Sequence, residues 1–436
     1  MVQAQPLAAS HRGTTAMNSS IEETYRAATE KSAQLAKLAE RVMPGGDTRT
    51  TTFFRPYPLT IKRGEGPYLW DVDGNRYIDL LGNYTSLVHG NAYPPIVEAV
   101  TKAVRDGSSW PARSEAQTEL ATLLCERVES VERVRFCNSG TEAGMLAAHV
   151  ARRLTGRKLI LMARYGYHGS YDDLEVGLAG TDGEFTMLAD FGEATAFEAL
   201  LSERGAEIAA VFLEPVLGSA GVVAPPEGFL ERVAEATRRA GAMFIVDEVI
   251  TLRLAEGGAQ QIFEVKPDLT MFGKIIGGGF PVGAIGGSED VMSAFDPRNR
   301  GSIFHSGTFN GNPVTCTAGA VSIRELTRAR IDKMAEQGER LATELARAAR
   351  QVELPFSVRH CGSLLNVFFL KEPPAPTIAR EDSRAIANFH LAALNQGLFV
   401  APRGMIALST VMTDEVLSEV CERAAKAMAD VAQAGE

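Results

Sequence analysis

The 436-residue chain is poor in cysteine and tryptophan, with five and two. Cys125, Cys137, Cys316, Cys361 and Cys421 are scattered, with no CxxC pair or other ligand spacing. That excludes a disulfide framework or a zinc site and reads as reduced thiols of a cytosolic protein. Positive charge is also short: 44 Lys and Arg against 54 Asp and Glu leave a net charge of -10. Nucleic acid and anionic membrane surfaces both require a basic face, so neither is expected as a partner. A small anionic ligand, which a few local cations can hold, is not excluded. No apolar run reaches the ~18 residues of a membrane span. The opening "MVQAQPLAASHRGTTAMNSS" lacks the apolar stretch of a secretory signal. Residues 1–19 are therefore read as a disordered tail and the location as cytoplasmic. GxxxxGK[ST] and HExxH are both missing, so neither a P-loop nor a metal site is expected.

What is present has an order. "SIEE" at 20–23 suggests a capping box and a helix running to about Met43, ended by "MPGG". "LTIKRGEGPYLWDVDGNRYID" alternates around a "VDGN" turn signal and predicts a small hairpin. From about residue 115, short apolar strands alternate with helical periods: "RVRFCN" (133–138), "KLILMA" (158–163), "IAAVFLEP" (208–215), "AMFIVDEV" (242–249), "LTMFG" (269–273) and "PVGAIGG" (281–287). Such alternation implies an α/β fold with a mostly parallel sheet covered on both faces, and ligands at the carboxyl ends of its strands. A helix over roughly 320–351, a strand "SLLNVFFL" (363–370), another helix and "GLFVAPRGMIAL" then predict a smaller α+β domain. The expected division is 20–75 as the N-terminal part of the small domain, 76–320 as the large domain and 321–436 as the rest of the small one.

Three features carry chemistry. In "NSGTEAGMLAAHVAR" (138–152) a strand ends in Ser-Gly-Thr and a helix starts at once. Its free N–H groups favour a phosphate, although Ser139 or Thr141 could equally be an ordinary N-cap. In "FIVDEVITLRL" (244–254) Asp247 and Glu248 follow a buried strand, so one carboxylate faces its functional end. It could act as acid or base, or pair with a positive ring nitrogen. In "DLTMFGKIIGGGFP" (268–281) a lone lysine, Lys274, sits in an apolar run. It either snorkels to water or is a buried amine whose pKa falls from ~10.4 and whose lone pair can attack an aldehyde. A phosphate cradle, a strand-end anion and an amine together supply what pyridoxal 5′-phosphate needs.

The motifs "NSGTEA" (138–143), "GYHG" (166–169), "EP" (214–215), "FIVDEVIT" (244–251), "GKIIGGGFPVGAIGG" (273–287) and "HSGTFNGNP" (305–313) resemble those of the class III, fold-type I pyridoxal-phosphate aminotransferases. The resemblance spans roughly residues 40–430. It is closest to the glutamate-1-semialdehyde aminomutase branch, and within it to the β-phenylalanine (β-amino acid) aminotransferases. It implies Lys274 as the amine that anchors the cofactor's aldehyde and moves a proton, and Asp247 as the partner of the pyridine nitrogen. It further implies Ser139, Gly140 and Thr141 on the phosphate, Tyr167 stacked on the ring with His168 beside it, and Val249 on the other ring face. Glu214 would support Asp247. Thr308 would reach the phosphate of a neighbouring subunit, which makes the protein a homodimer with two shared sites.

For substrate, the resemblance points to Arg49 in "GGDTRTTTFF" and Arg403 in "FVAPRGMIAL" as carboxylate-binding residues, with Tyr84 as a pocket wall. Guanidinium offers the bidentate geometry a carboxylate requires. "TRTTTFF" and "DEVITLRL" depart from the aminomutase pattern and favour the β-amino-acid branch. "ADFGE" (189–193) and "NYTSL" (83–87) depart from the β-phenylalanine pattern, in loops expected to line the entrance. The implied reaction moves an amino group from a β-amino acid, aromatic or not, to 2-oxoglutarate or pyruvate by a ping-pong route. An intramolecular aminomutase reaction, or another amino acid or amine as donor, is the alternative.

Overall fold

The computed structural model describes residues 19–376 and 382–434. The expected tail therefore lies outside the described residues except for Ser19, which is already helical.

The largest sheet has seven strands in the spatial order Arg133–Cys137, Gly283–Gly287, Leu269–Gly273, Met243–Asp247, Ile208–Leu213, Leu159–Ala163, Thr186–Ala189. Gly283–Gly287 runs antiparallel to both neighbours, and the other pairs are parallel. The four central strands are buried at every residue because helices cover both faces. Six of the seven strands match the apolar runs read from the sequence. Thr186–Ala189 escaped because "TMLA" is short, sits at the sheet edge and offers no long apolar run.

A second core joins the two ends of the chain. Tyr25, Ile78, Leu345, Phe389 and Leu417 belong to one buried cluster. Around it lie a four-stranded sheet, Ile61–Glu65, Tyr68–Asp71, Arg76–Asp79 and Leu398–Phe399, and a three-stranded one, Ser357–Cys361, Leu364–Phe368 and Met405–Ala407. Arg76–Asp79 pairs with both Tyr68–Asp71 and Leu398–Phe399, so the N-terminal segment of this unit extends past residue 75.

Two helices expected to be continuous are broken. The N-terminal one divides into Ser19–Ala28 and Glu30–Ala39 at Thr29, whose φ of -133° is not helical. The cause is tertiary. The Asp73 carboxylate, from the "VDGN" turn, accepts the N–H groups of Lys31 and Ser32 at 2.7 and 3.0 Å and the Ser32 hydroxyl at 2.8 Å. A carboxylate at that place caps a new helix start. Ser20 lies inside the first helix rather than at its cap. Further on, the helix expected at 320–351 is two, Pro313–Glu325 and Arg328–Gln351. Asn312 caps the first by accepting from Val314 and Thr315 N–H at 3.0 and 3.1 Å. Cys316 and Ala320, and still Ile331 and Met334 of the second helix, pack in the large unit's core, while Leu341 and Leu345 pack in the other, so the changeover falls within Arg328–Gln351. Among the described residues no helix is long and apolar enough to cross a membrane.

One buried cation crosses the junction. Arg253 donates from Nε to Ser363 Oγ at 3.0 Å and from Nη2 to the Leu408 carbonyl, and Nη1 lies 3.5 Å from the Thr85 carbonyl. Burial lowers its pKa to about 10. It forms no ion pair with a carboxylate among the described residues, and backbone carbonyls, a hydroxyl and the Met334 sulfur hold it in place.

Candidate active site

The chemistry-bearing residues gather at the carboxyl ends of adjacent strands, where open α/β sheets bind ligands. Asp247 ends its strand, and Glu214 and Lys274 each follow the last residue of theirs. Ser139 caps the Gly140–Thr155 helix, its hydroxyl accepting from Glu142 N–H at 3.1 Å. Glu142 answers by accepting the Asn138 N–H at 2.9 Å, which fixes the entry of the chain into the helix. Backbone closeness matters here. A Cβ on Gly283 would lie 1.9 Å from the Ser139 carbonyl, so only glycine lets that strand pass beneath the loop. The Thr141 hydroxyl accepts from Ser170 N–H at 3.2 Å, joining this helix start to the "GYHG" loop.

Of the two adjacent carboxylates, the structure separates Asp247 from Glu248. Asp247 Oδ1 accepts from Val249 N–H at 2.9 Å, and Oδ2 lies 2.9 Å from His168 Nδ1. Glu248 points the other way and is spent on structure, accepting from Ala259 and Gln260 N–H at 3.1 and 2.7 Å and from the Thr251 hydroxyl. His168 is fully buried, and its Nε2 has no partner among the described residues. The contact of Asp247 with Nδ1 orients the ring. Glu214 is buried as well. It accepts from Tyr167 and Gly218 N–H at 2.9 and 3.1 Å, yet burial, with Asp247 adding to it, raises its pKa to about 7.

Lys274 is partly buried, in a backbone conformation of φ +48° unusual for a side-chain-bearing residue. Burial lowers its pKa, opposed by the charges of Asp247 and Glu214. Its ammonium has no hydrogen bond or ion pair with the described residues. Val249 fills the space between Gly140 and Gly273, with a Cβ on either meeting it at 3.3–3.4 Å. The Gly277–Gly279 run makes a tight turn, but the room it leaves goes to the Pro313–Glu325 helix. A Cβ on Gly278 would lie 2.5 Å from the Ala318 carbonyl.

Two of the substrate candidates, Arg49 and Tyr84, also meet, on a separate wall. Arg49 Nη1 donates to Asn83 Oδ1 at 2.8 Å, and its guanidinium lies 5.8 Å from the Tyr84 ring centre. The Tyr84 hydroxyl donates to the Thr51 carbonyl. Burial raises the Tyr84 pKa, opposed by its hydrogen bond to Thr51 and by the charges of Arg403 and Arg49. Arg49, Phe54, Asn83, Tyr84, Leu87 and Phe399 line a mostly apolar cavity of about 250 Å³. A larger open groove between the Glu30–Ala39 helix and residues 53–61 contains none of the candidate residues.

One placement differs from expectation. Phe191 of "ADFGE" is no entrance residue. It is buried in the core, its ring centre 5.0 Å from that of Phe229. Thr308 is exposed and has no hydrogen bond to the described residues; its loop touches the site only through Asn310 Oδ1, which accepts from Asn138 Nδ2 at 2.9 Å. Asn83 was missed as a site residue, and its only sequence signal was its place beside Tyr84 in "NYTSL". No cluster of metal-ligating side chains occurs among the described residues.

The donor set fits pyridoxal 5′-phosphate. A helix start offers N–H groups to an anion, a buried carboxylate is held for a cationic ring nitrogen, and an unpaired amine is present for an aldehyde. Comparison with known proteins agrees. The family model "Aminotransferase class-III" matches residues 53–431. A glutamate-1-semialdehyde 2,1-aminomutase of Chloroflexus aurantiacus is 38% identical, covering 91% of this chain and 96% of the relative. A beta-phenylalanine transaminase of Variovorax paradoxus is 36% identical over 92% of this chain and 93% of its own length. The crystal structure of an omega-transaminase from Sphaerobacter thermophilus superposes with a TM-score of 0.88 at 39% identity, covering 92% of this chain and 97% of that one. The chain thus belongs to the class III aminotransferases, fold-type I enzymes that work with pyridoxal 5′-phosphate.

Proposed function

We propose that this transaminase takes a β-amino acid, aromatic or aliphatic, as amino donor and passes the amino group to 2-oxoglutarate or pyruvate. The observation that supports this most is Arg49 set against Tyr84 in the lining of an apolar cavity, with Arg403 proposed as a second carboxylate receptor. A wall of that composition offers a carboxylate receptor and room for an apolar side chain. Similarity to the beta-phenylalanine transaminase points the same way.

The roles follow from the chain's own groups. The Ser139–Gly140–Thr141 helix start holds the phosphate, and Tyr167 and Val249 enclose the ring. Asp247, aimed by His168, keeps the pyridine nitrogen protonated. Glu214 fixes the Tyr167 backbone and so the height of that ring. Pyridoxal 5′-phosphate, when bound, supplies an electron-withdrawing ring that stabilises charge at the carbon losing its proton. Lys274 Nζ would hold the cofactor's aldehyde end and would accept and return the proton. Its depressed pKa leaves a larger neutral fraction for that work. Thr308 serves the phosphate of a second copy, in a homodimer that acts in the cytoplasm.

The test is a donor panel of α- and β-amino acids with 2-oxoglutarate and pyruvate, on wild type and Arg49→Ala. We expect β-amino acids to be preferred, and Arg49→Ala to raise their KM by roughly 10-fold or more, the worth of a charge-assisted hydrogen bond. An unchanged KM would overturn the carboxylate role. The aminomutase relative at 38% identity favours a second reading, intramolecular amino transfer. Multiple turnovers without any keto acid would establish it, because a transaminase stops after one half-reaction.

A further inference from the structure

Residues Gly82, Asn83, Tyr84 and Thr85 have φ values of +55°, +48°, +53° and +76°. A run of left-handed residues is costly, roughly 1–2 kcal/mol for each that carries a side chain. It persists only where the surroundings enforce it. Here they do. Thr85 N–H donates to the Leu81 carbonyl at 2.9 Å, Leu87 N–H to the Gly82 carbonyl at 2.9 Å, and buried Arg253 reaches the Thr85 carbonyl from below. Asn83, at the exposed crest of this turn, is therefore held in place and tolerates its own conformation well.

What Asn83 holds is Arg49. The guanidinium forms no ion pair with a described carboxylate, and the acceptor that aims it, Asn83 Oδ1 at 2.8 Å, is neutral. Asp47 is close in sequence, but its oxygens are taken by the N–H groups of Thr48 and Arg49, at 2.6 and 3.2 Å, and by the Thr52 hydroxyl. Arg49 is thus positioned by a neutral group and makes no direct ion pair, while the Asp47 charge acts on it only through space.

We propose that Asn83 is a positioning and specificity-determining residue: a neutral acceptor that aims Arg49 while leaving its charge for the substrate's carboxylate. It selects donors that carry a carboxylate over amines that lack one. This rests on Arg49 being a carboxylate receptor.

The experiment compares wild type, Asn83→Asp, Asn83→Gly and Arg49→Ala on matched donors. These are 3-amino-3-phenylpropanoate against 1-phenylethylamine, and 3-aminobutanoate against 2-aminopropane. Asp retains the turn and the acceptor but adds a charge that pairs with Arg49. Asn83→Asp should raise the KM of the acid by about threefold to fivefold, the scale of an exposed ion pair, and leave the amine's KM unchanged. Added salt should shrink that effect, which a purely structural change would not show. Asn83→Gly relieves the backbone and removes the acceptor, and should raise the acid's KM less. If Arg49→Ala abolishes the preference for the acid while Asn83→Asp leaves it intact, the Asn83 proposal fails and the Arg49 reading stands. If Arg49→Ala also leaves it intact, or wild type uses neither acid, the underlying reading fails and takes the Asn83 proposal with it.

Discussion

The strand-end cluster and the Arg49 wall are built on opposite principles. Asp247, His168 and Glu214 are buried, close to the ends of parallel strands, and each is held by fixed hydrogen bonds. Arg49 and Asn83 are exposed, on a loop and a strained turn, and depend on each other for position. A rigid sheet suits groups whose geometry must not vary during proton transfer. Loops suit groups that differ between enzymes performing the same chemistry on different substrates. The distinction explains why relatives bearing different activities, an aminomutase and a transaminase, share more than a third of this sequence.

Substitutions can sharpen that contrast. The largest effect belongs to Lys274→Ala, which should lower kcat by at least ~10²–10⁴-fold for every donor, carboxylate-bearing or not. A loss confined to acids would blur the two regions into one. Next comes Arg253→Met, which leaves the Leu408 and Thr85 carbonyls without their buried donor and should cost about 2–4 kcal/mol in denaturant unfolding. Because those carbonyls belong to the strained turn and to the segment after Arg403, the KM of carboxylate donors should rise more than kcat falls. An unchanged unfolding midpoint would show that the turn stands without Arg253. The smallest effect is that of Asp73→Ala, which removes the cap of the Glu30–Ala39 helix leading towards Arg49. About 1 kcal/mol should be lost, read as a lower thermal midpoint, with activity at the strand ends unaffected.

Legibility followed the same division. The apolar runs ending in "VD", "EP" and "GK" announced both the strands and the groups at their ends, because a buried parallel strand has a local signature. The break at Thr29 and the helix start at Pro313 did not show, because distant or flanking side chains, Asp73 and Asn312, supply the caps. "ADFGE" looked like a variable entrance loop, and only packing against Phe229 reveals Phe191 as core. Asn83 could not be singled out, since its partner lies in another segment of the chain and its left-handed backbone has no reliable marker.

The sequence by itself determined the fold class, the family and the order of the chemistry-bearing residues, because strand periodicity and short motifs are local properties. Tertiary structure alone decided that Glu248 is spent on the Ala259 and Gln260 backbone while His168 and the Val249 N–H hold Asp247, and that Arg49 is held by a neutral amide. Both choices depend on which groups, far apart in the chain, share a few ångströms of space. Desolvation and hydrogen bonding at that range set the charge and direction of a side chain.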